Sequence, residues 1–147
     1  MRLVVQRVAS AKVIIDEEEY SSIKGGYLIY LGITETDTKD EVLKLAHKIS
    51  GLRIFEDENQ KMNLNLETVK GEILVVSQFT LYADMKRGNR PSFTKAAHPD
   101  LAIPLYELFV KKLSEKFVVK TGIFGANMQI ESINDGPVTL IYETEDL

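Results

Sequence analysis

The chain has 147 residues, 44% of them hydrophobic and 27% charged, with a formal net charge of −4 and no cysteine. That length suits a single domain over residues 1–147 with a core that needs no staples, and the lack of cysteine excludes disulfides, thiolate metal sites and thiol nucleophiles. The net charge argues against a chain that coats nucleic acid without preference, and no apolar run approaches the ~20 residues of a membrane span.

The first apolar run, Leu3-Val-Val5, is cut by Gln6 and Arg7 and is too short for a secretory leader, so a cytoplasmic protein is expected. Arg2–Val8, Ala11–Ile15 and Tyr27–Ile33 are rich in Val, Ile, Leu and Tyr and read as strands. Asp16–Glu19 and Lys24–Gly26 punctuate them as turns. Thr38-Lys-Asp-Glu41 has the spacing of a capping box, in which hydroxyl and carboxylate each satisfy a free N–H. Val42, Leu45, Ala46 and Ile49 then follow at helical spacing, and Gly51 is a natural stop. His47 lies off that stripe and should face solvent.

A short Leu52–Phe55 segment leads into a polar loop, Glu56–Asn65. Ile73 to Val76 is continuously apolar, so Glu72–Ser77 reads as a buried strand. Pro99 suits the first turn of a second helix, entered from His98, with Ala102, Leu105, Tyr106, Phe109 and Leu113 on one face. Three strand-like pieces close the chain: Val118–Ile123, Met128–Ile133 and Val138–Glu143. Between the last two, Asn134-Asp-Gly136 has the chemistry of a hairpin turn, and Pro137 is tolerated at a strand start. Connections are mostly short turns. The expected fold is therefore α+β: one domain with a mostly antiparallel, curled, barrel-like sheet and two main helices packed outside.

The strand over Glu72–Ser77 runs straight into Ser77-Gln78-Phe79-Thr80, placing hydroxyls and an amide where a core strand leaves the interior. Such a point can hold reactive groups rigidly while the next loop admits substrate, or its hydroxyls can simply satisfy local backbone. A basic loop follows. Met85 to Lys95 carries Lys86, Arg87, Arg90 and Lys95 with no acid, which suits either solvent or a phosphate-bearing ligand. Signatures of serine hydrolases, phosphate-binding loops and zinc proteases are missing. With two separated histidines and scattered acids, no metal site is expected and no cofactor is implied; an enzyme built this way works largely without imidazole, thiol or metal.

Ser77-Gln-Phe-Thr-Leu81 and Asn134-Asp-Gly-Pro-Val-Thr139 closely resemble the two signature motifs of the D-aminoacyl-tRNA deacylases, also called D-tyrosyl-tRNA deacylases. The likeness extends over the opening Met1–Val8, over Gly88-Asn-Arg-Pro-Ser-Phe93 and over Phe124-Gly-Ala126 with Met128. The resemblance implies hydrolysis of the ester between a D-amino acid and the terminal adenosine of tRNA, with glycyl-tRNA also accepted. It implies a homodimer with active sites at the interface, in which a cis Gly136–Pro137 peptide enters the neighbour's pocket and rejects L-amino acids. Ser77, Gln78, Phe79 and Thr80 would surround the reacting carbonyl, Ala102 and Met128 would line the pocket, and Arg7 would brace the Gly-Pro loop. Backbone N–H groups near Gln78 and Phe79 can supply oxyanion donors. Thr80 is then either a nucleophile or an orienting group beside an attack assisted by the adenosine 2′-hydroxyl. Lys86, Arg87 and Arg90 would approach tRNA phosphates. A non-catalytic RNA-binding module is the competing reading, and a metal-dependent hydrolase a third.

Overall fold

Strand β1, Arg2–Ile15, is the spine of the sheet in the computed structural model, which describes residues 1–147. Along one edge it pairs antiparallel with β8, Gln129–Glu143. Along the other edge Arg2–Val8 pairs with β3, Gly26–Gly32, and Ala11–Ile15 with β2, Glu18–Ile23. The two opening strands expected from sequence are thus one. The break between them is a change of face: Leu3 and Val5 enter the helix-side core, whereas Val8, Ala11 and Val13 enter a second core. The register against β8 shifts between Val8 and Ser10, as a bulge requires when side-chain parity changes within a strand. The acidic run read as a turn is half turn and half strand. Asp16 and Glu17 hold positive φ, 51° and 68°, in a two-residue hairpin, and Glu18 already opens β2.

The sheet is mixed. Strand β6, Glu72–Ser77, lies parallel to β3, and β7, Val119–Thr121, lies parallel to β6. Parallel neighbours need a long crossover, and each contains a helix: α1, Lys39–Gly51, precedes β6 and α2, Pro99–Ser114, precedes β7. Residues expected in the polar loop also form a small hairpin of β4, Phe55–Glu56, with β5, Met62–Leu64. The main sheet curls until β2 meets β7, where the Ser21 hydroxyl donates to the Thr121 carbonyl at 2.6 Å, giving a nearly closed barrel. No helix is long and apolar enough to cross a membrane.

Both helices bury the stripes their sequences display. The Thr38 hydroxyl accepts from the Asp40 N–H at 3.2 Å and the Glu41 carboxylate from the Thr38 N–H at 2.6 Å, forming the capping box of α1. Val42, Leu45, Ala46 and Ile49 of α1 and Ala102, Leu105, Tyr106, Phe109 and Leu113 of α2 are buried against Leu3, Val5, Ile73 and Val75. Leu74 and Val76 point the other way, into the second core. Covered on both faces, β6 has no use for alternating polarity. His47 is exposed.

The hairpin expected at Asn134–Gly136 is not present. Strand β8 continues along β1, with Asn134 opposite Val8 and Thr139 opposite Gln6, so Asp135, Gly136, Pro137 and Val138 face Arg7 alone. The extra residues leave the ladder as a lobe, and the Gly136–Pro137 peptide at its tip is cis. Residues suited to a turn have made an excursion within one strand.

Candidate active site

The last rung of β6 sets the geometry of the site. Gln78 N–H donates to the Leu31 carbonyl of β3 at 2.8 Å, and the chain then folds into a 3-10 turn, Phe79–Tyr82. Leu81 N–H donates to the Gln78 carbonyl at 3.2 Å and Ala83 N–H to the Thr80 carbonyl at 3.0 Å. The turn rests on Gly32 so closely that a Cβ there would lie 3.0 Å from the Leu81 Cβ and 3.2 Å from the Gln78 carbonyl oxygen. A larger residue would push the turn off the strand.

Within the turn the Gln78 side-chain amide donates to the Thr80 hydroxyl at 2.5 Å, and no carboxylate or imidazole bonds to that hydroxyl. The Gln78 N–H is already engaged by Leu31, so it is not a free donor. The N–H groups of Phe79 and Thr80 open the 3-10 turn, where the first donors have no partner within the turn itself. Of the donors expected near Gln78 and Phe79, that of Gln78 is engaged, and those of Phe79 and Thr80 stand at the start of the turn.

Val76, Ser77, Gln78 and Phe79 form one wall of a cleft of about 260 Å³, and Phe124, Gly125, Ala126 and Met128 form the opposite wall. The second wall is the connection between β7 and β8. Gly125 has a φ of +79°, and a Cβ on Gly122 would fall only 2.4 Å from the Met128 sulfur. Phe124 meets the Tyr106 ring edge-on at 6.0 Å, and the Tyr106 hydroxyl donates to the Val75 carbonyl of β6 at 3.0 Å. Burial raises the Tyr106 phenol well above its ordinary pKa, which keeps it a neutral donor. Only the family resemblance points to Phe124, Gly125 and Ala126 in the sequence; their turn-forming glycine is the one local signal of a loop at a cleft.

The remaining expected site residues divide between the cleft and places away from it, and Thr80, next to Phe79 in the turn, does not line the cleft. Met128 lines the cleft, whereas Ala102 lies on the buried face of α2 and does not. Arg7 is buried, with its Nε donating to the Asp135 carbonyl at 3.1 Å and its Nη1 to the Ile54 carbonyl at 2.8 Å. It ties the lobe to the end of the α1 connection. Its guanidinium also lies 3.8 Å from the Glu56 carboxylate and 3.8 Å from that of Asp135. The Asn134 amide, oriented to satisfy both its ends, donates to the Val138 and Arg7 carbonyls at 3.2 and 3.1 Å. Gly136 and Pro137 are exposed and do not line the chain's own cleft. Gly136 is level with Arg7, Tyr27 and Ile73, four residues short of Ser77. That is roughly 13 Å along the strands and three strand spacings, roughly 14 Å, across the sheet.

The basic loop adjoins the turn. Asp84 and Ser92 exchange backbone bonds of 2.8 and 2.9 Å at its base, and Phe93 packs edge-on against Phe79 at 5.1 Å. The Lys86 N–H bonded to the Asp84 carboxylate, with Lys95 nearby, holds that group below its ordinary pKa. Lys86, Arg87 and Arg90 are exposed, and neither arginine forms an ion pair. No group of three or more His, Asp or Glu side chains is placed to hold a metal ion.

Comparison with known proteins places these features in a family. A family model described as D-Tyr-tRNA(Tyr) deacylase matches residues 4–143. A protein of Thermotoga petrophila named D-aminoacyl-tRNA deacylase is 53% identical over 148 residues, covering 100% of this chain and 99% of that protein. Its namesake from Clostridioides difficile is 54% identical over 145 residues, covering 98% of this chain and 97% of its own. Among solved structures, the c-Myc DNA Unwinding Element Binding Protein superposes with a TM-score of 0.91 at 40% identity, covering 97% of this chain and 98% of that one. A structure described as a probable eukaryotic D-amino acid tRNA deacylase, 16% identical, shares the fold with a TM-score of 0.82 over 96% of this chain and 97% of that one.

Proposed function

This chain belongs to the D-Tyr-tRNA(Tyr) deacylase family, and we propose that it hydrolyses the ester joining a D-amino acid to the terminal adenosine of tRNA, in the cytoplasm. The observation that carries this reading is the cleft that sets Ser77, Gln78 and Phe79 against Phe124 and Met128. An aminoacyl ester is already activated, so alignment and donors aimed at the developing oxyanion accelerate its hydrolysis. Water adds to the carbonyl carbon, the bond to the ribose oxygen breaks, and that oxygen takes up a proton, releasing tRNA and the D-amino acid. The Phe79 and Thr80 N–H groups face the oxyanion, and the adenosine 2′-hydroxyl assists the water. Thr80 orients groups at the carbonyl: its hydroxyl is bonded to the Gln78 amide and lacks the base a nucleophile needs.

Selection between enantiomers falls to Gly136 and Pro137 of a second copy. In support, the lobe is exposed, braced by Arg7 and remote from its own cleft. The outer edge of β8 is unpaired, and Ile133 and Ile141 along it are 62% and 68% exposed. A homodimer that covers this edge brings each lobe to its partner's cleft. A backbone wall excludes one substituent of a chiral carbon without reading any side chain, so L-amino acids are rejected while glycine passes. Lys86, Arg87 and Arg90 meet tRNA phosphates beside the turn.

A nucleic-acid-binding module without catalysis is the second reading, favoured by the name of the DNA-binding relative with a TM-score of 0.91. One experiment separates the two: purified chain incubated with D-aminoacyl-tRNA, with bound tRNA and remaining ester followed in parallel. The deacylase reading expects the ester to disappear with turnover. Retention of tRNA with an intact ester overturns it.

A further inference from the structure

The 3-10 turn is held from below by a residue that neither motif contains. Arg2, the second residue of β1, pairs with Gly32, the glycine on which the turn rests. Its Nη1 donates to the Leu81 carbonyl at 2.5 Å, its Nε donates to the Glu143 carboxylate, and its guanidinium lies 4.9 Å from the centre of the Tyr82 ring. The Leu81 carbonyl belongs to the same turn as Phe79 and Thr80. A planar fork engaged on three sides has little freedom left, so it fixes the carbonyl it holds. The Gln78 N–H bond to Leu31 anchors the start of the turn, and Arg2 anchors its far end.

We propose that Arg2 is a positioning residue for ester hydrolysis: by holding the Leu81 carbonyl it sets the orientation of the Gln78–Thr80 segment at the cleft. This rests on the deacylase reading above, and Arg2 itself touches no reacting atom. Glu143 acts one step further back, keeping the guanidinium over Tyr82 and under Leu81. A small rotation of the turn would leave the cleft intact for binding while misaligning the donors, so the loss should fall on kcat.

The test compares wild type, Arg2→Ala, Arg2→Lys and Glu143→Gln for single-site kinetics on D-aminoacyl-tRNA, thermal unfolding and amide NMR spectra. Arg2→Ala should lower kcat by about tenfold to a hundredfold, the scale of a misplacement near 1 Å, with KM within about twofold of wild type. Arg2→Lys, which can reach Leu81 but not bridge it to Glu143, should recover part of the loss, and Glu143→Gln should fall between. The Phe79 and Thr80 amide signals should move in Arg2→Ala. Unchanged kcat overturns the proposal. So does a loss that tracks the melting temperature while those two signals stay in place, since Arg2 would then serve overall stability alone. Should Arg2→Ala fail to fold, Arg2→Lys carries the same decision through the same signals. If the wild type itself leaves D-aminoacyl-tRNA intact, the deacylase reading is what fails, and the amide shifts still decide what Arg2 holds.

Discussion

Replacing Arg7 with alanine should both destabilise the chain and release the Gly-Pro lobe. The guanidinium makes two charge-assisted bonds, to the Ile54 carbonyl at 2.8 Å and the Asp135 carbonyl at 3.1 Å. Hydrogen bonds to charged groups contribute about 1.5–3 kcal/mol each, so the pair is worth about 3–6 kcal/mol. The Glu56 and Asp135 carboxylates add little, being 3.8 Å away and 55% and 61% exposed. Water entering beside the exposed lobe can replace part of what is lost, which favours the lower end, about 3 kcal/mol. At about 2–4 °C per kcal/mol for a chain of this size, the melting temperature should fall by about 6–12 °C. Urea denaturation and calorimetry measure this directly. The ratio of D- to L-aminoacyl-tRNA hydrolysis should fall in the same variant, because a loose lobe makes a poor wall. Arg7→Lys offers one point charge in place of a planar fork that bonds two carbonyls and should recover about half of the stability. A loss below about 1 kcal/mol with unchanged selectivity would refute the brace, since a buried Ile54 carbonyl left without a donor cannot be that inexpensive.

Thr80→Ala should keep measurable activity, while tRNA ending in 2′-deoxyadenosine should be inert to the wild type; an acyl-enzyme trapped on Thr80, or rapid cleavage of the deoxy substrate, would make Thr80 the nucleophile. Arg87→Ala with Arg90→Ala should weaken tRNA binding and flatten its dependence on salt, leaving the D-to-L ratio in place. An unchanged slope would return those arginines to solvent. Thr38→Ala should cost about 1 kcal/mol at neutral pH by removing the cap of α1. Thr38 bonds hold the Glu41 carboxyl below its ordinary pKa, so that contribution is present above the unfolded value and is lost as pH falls through the lower folded one. The stability gap between wild type and Thr38→Ala should therefore narrow in acid, and a gap constant with pH would contradict the capping box.

Where neighbouring residues settle the outcome, sequence was a sufficient guide. Thr38 and Glu41 begin α1 as their spacing implies, the stripes of both helices are the buried faces, and Glu72–Ser77 is a strand end to end. Ser77, Gln78 and Phe79 line a cleft, and Thr80 of the same motif does not. What escaped depends on distant partners. A change of face at Ala9 and Ser10 looks locally like the end of a strand, because only the β8 ladder reveals that pairing continues. Asn134-Asp-Gly136 has turn chemistry, and Gly136 does hold a φ of +129°, yet residue preference cannot say whether the chain reverses or rejoins its ladder. Parallel pairing of β3, β6 and β7 follows from crossovers over the sheet, which short-range spacing does not report. The second wall of the cleft, Phe124 to Met128, and the Arg2 bond to Leu81 join segments far apart in the chain.

A time course of ester loss from matched D- and L-aminoacyl-tRNA carrying the same side chain, together with glycyl-tRNA, in excess chelator, shows whether the chain is a metal-independent deacylase that selects by chirality. The D and glycyl esters should be cleaved with turnover while the L ester decays only at its spontaneous rate. Equal rates for the two enantiomers, or activity that vanishes with chelator and returns with a divalent ion, would contradict it.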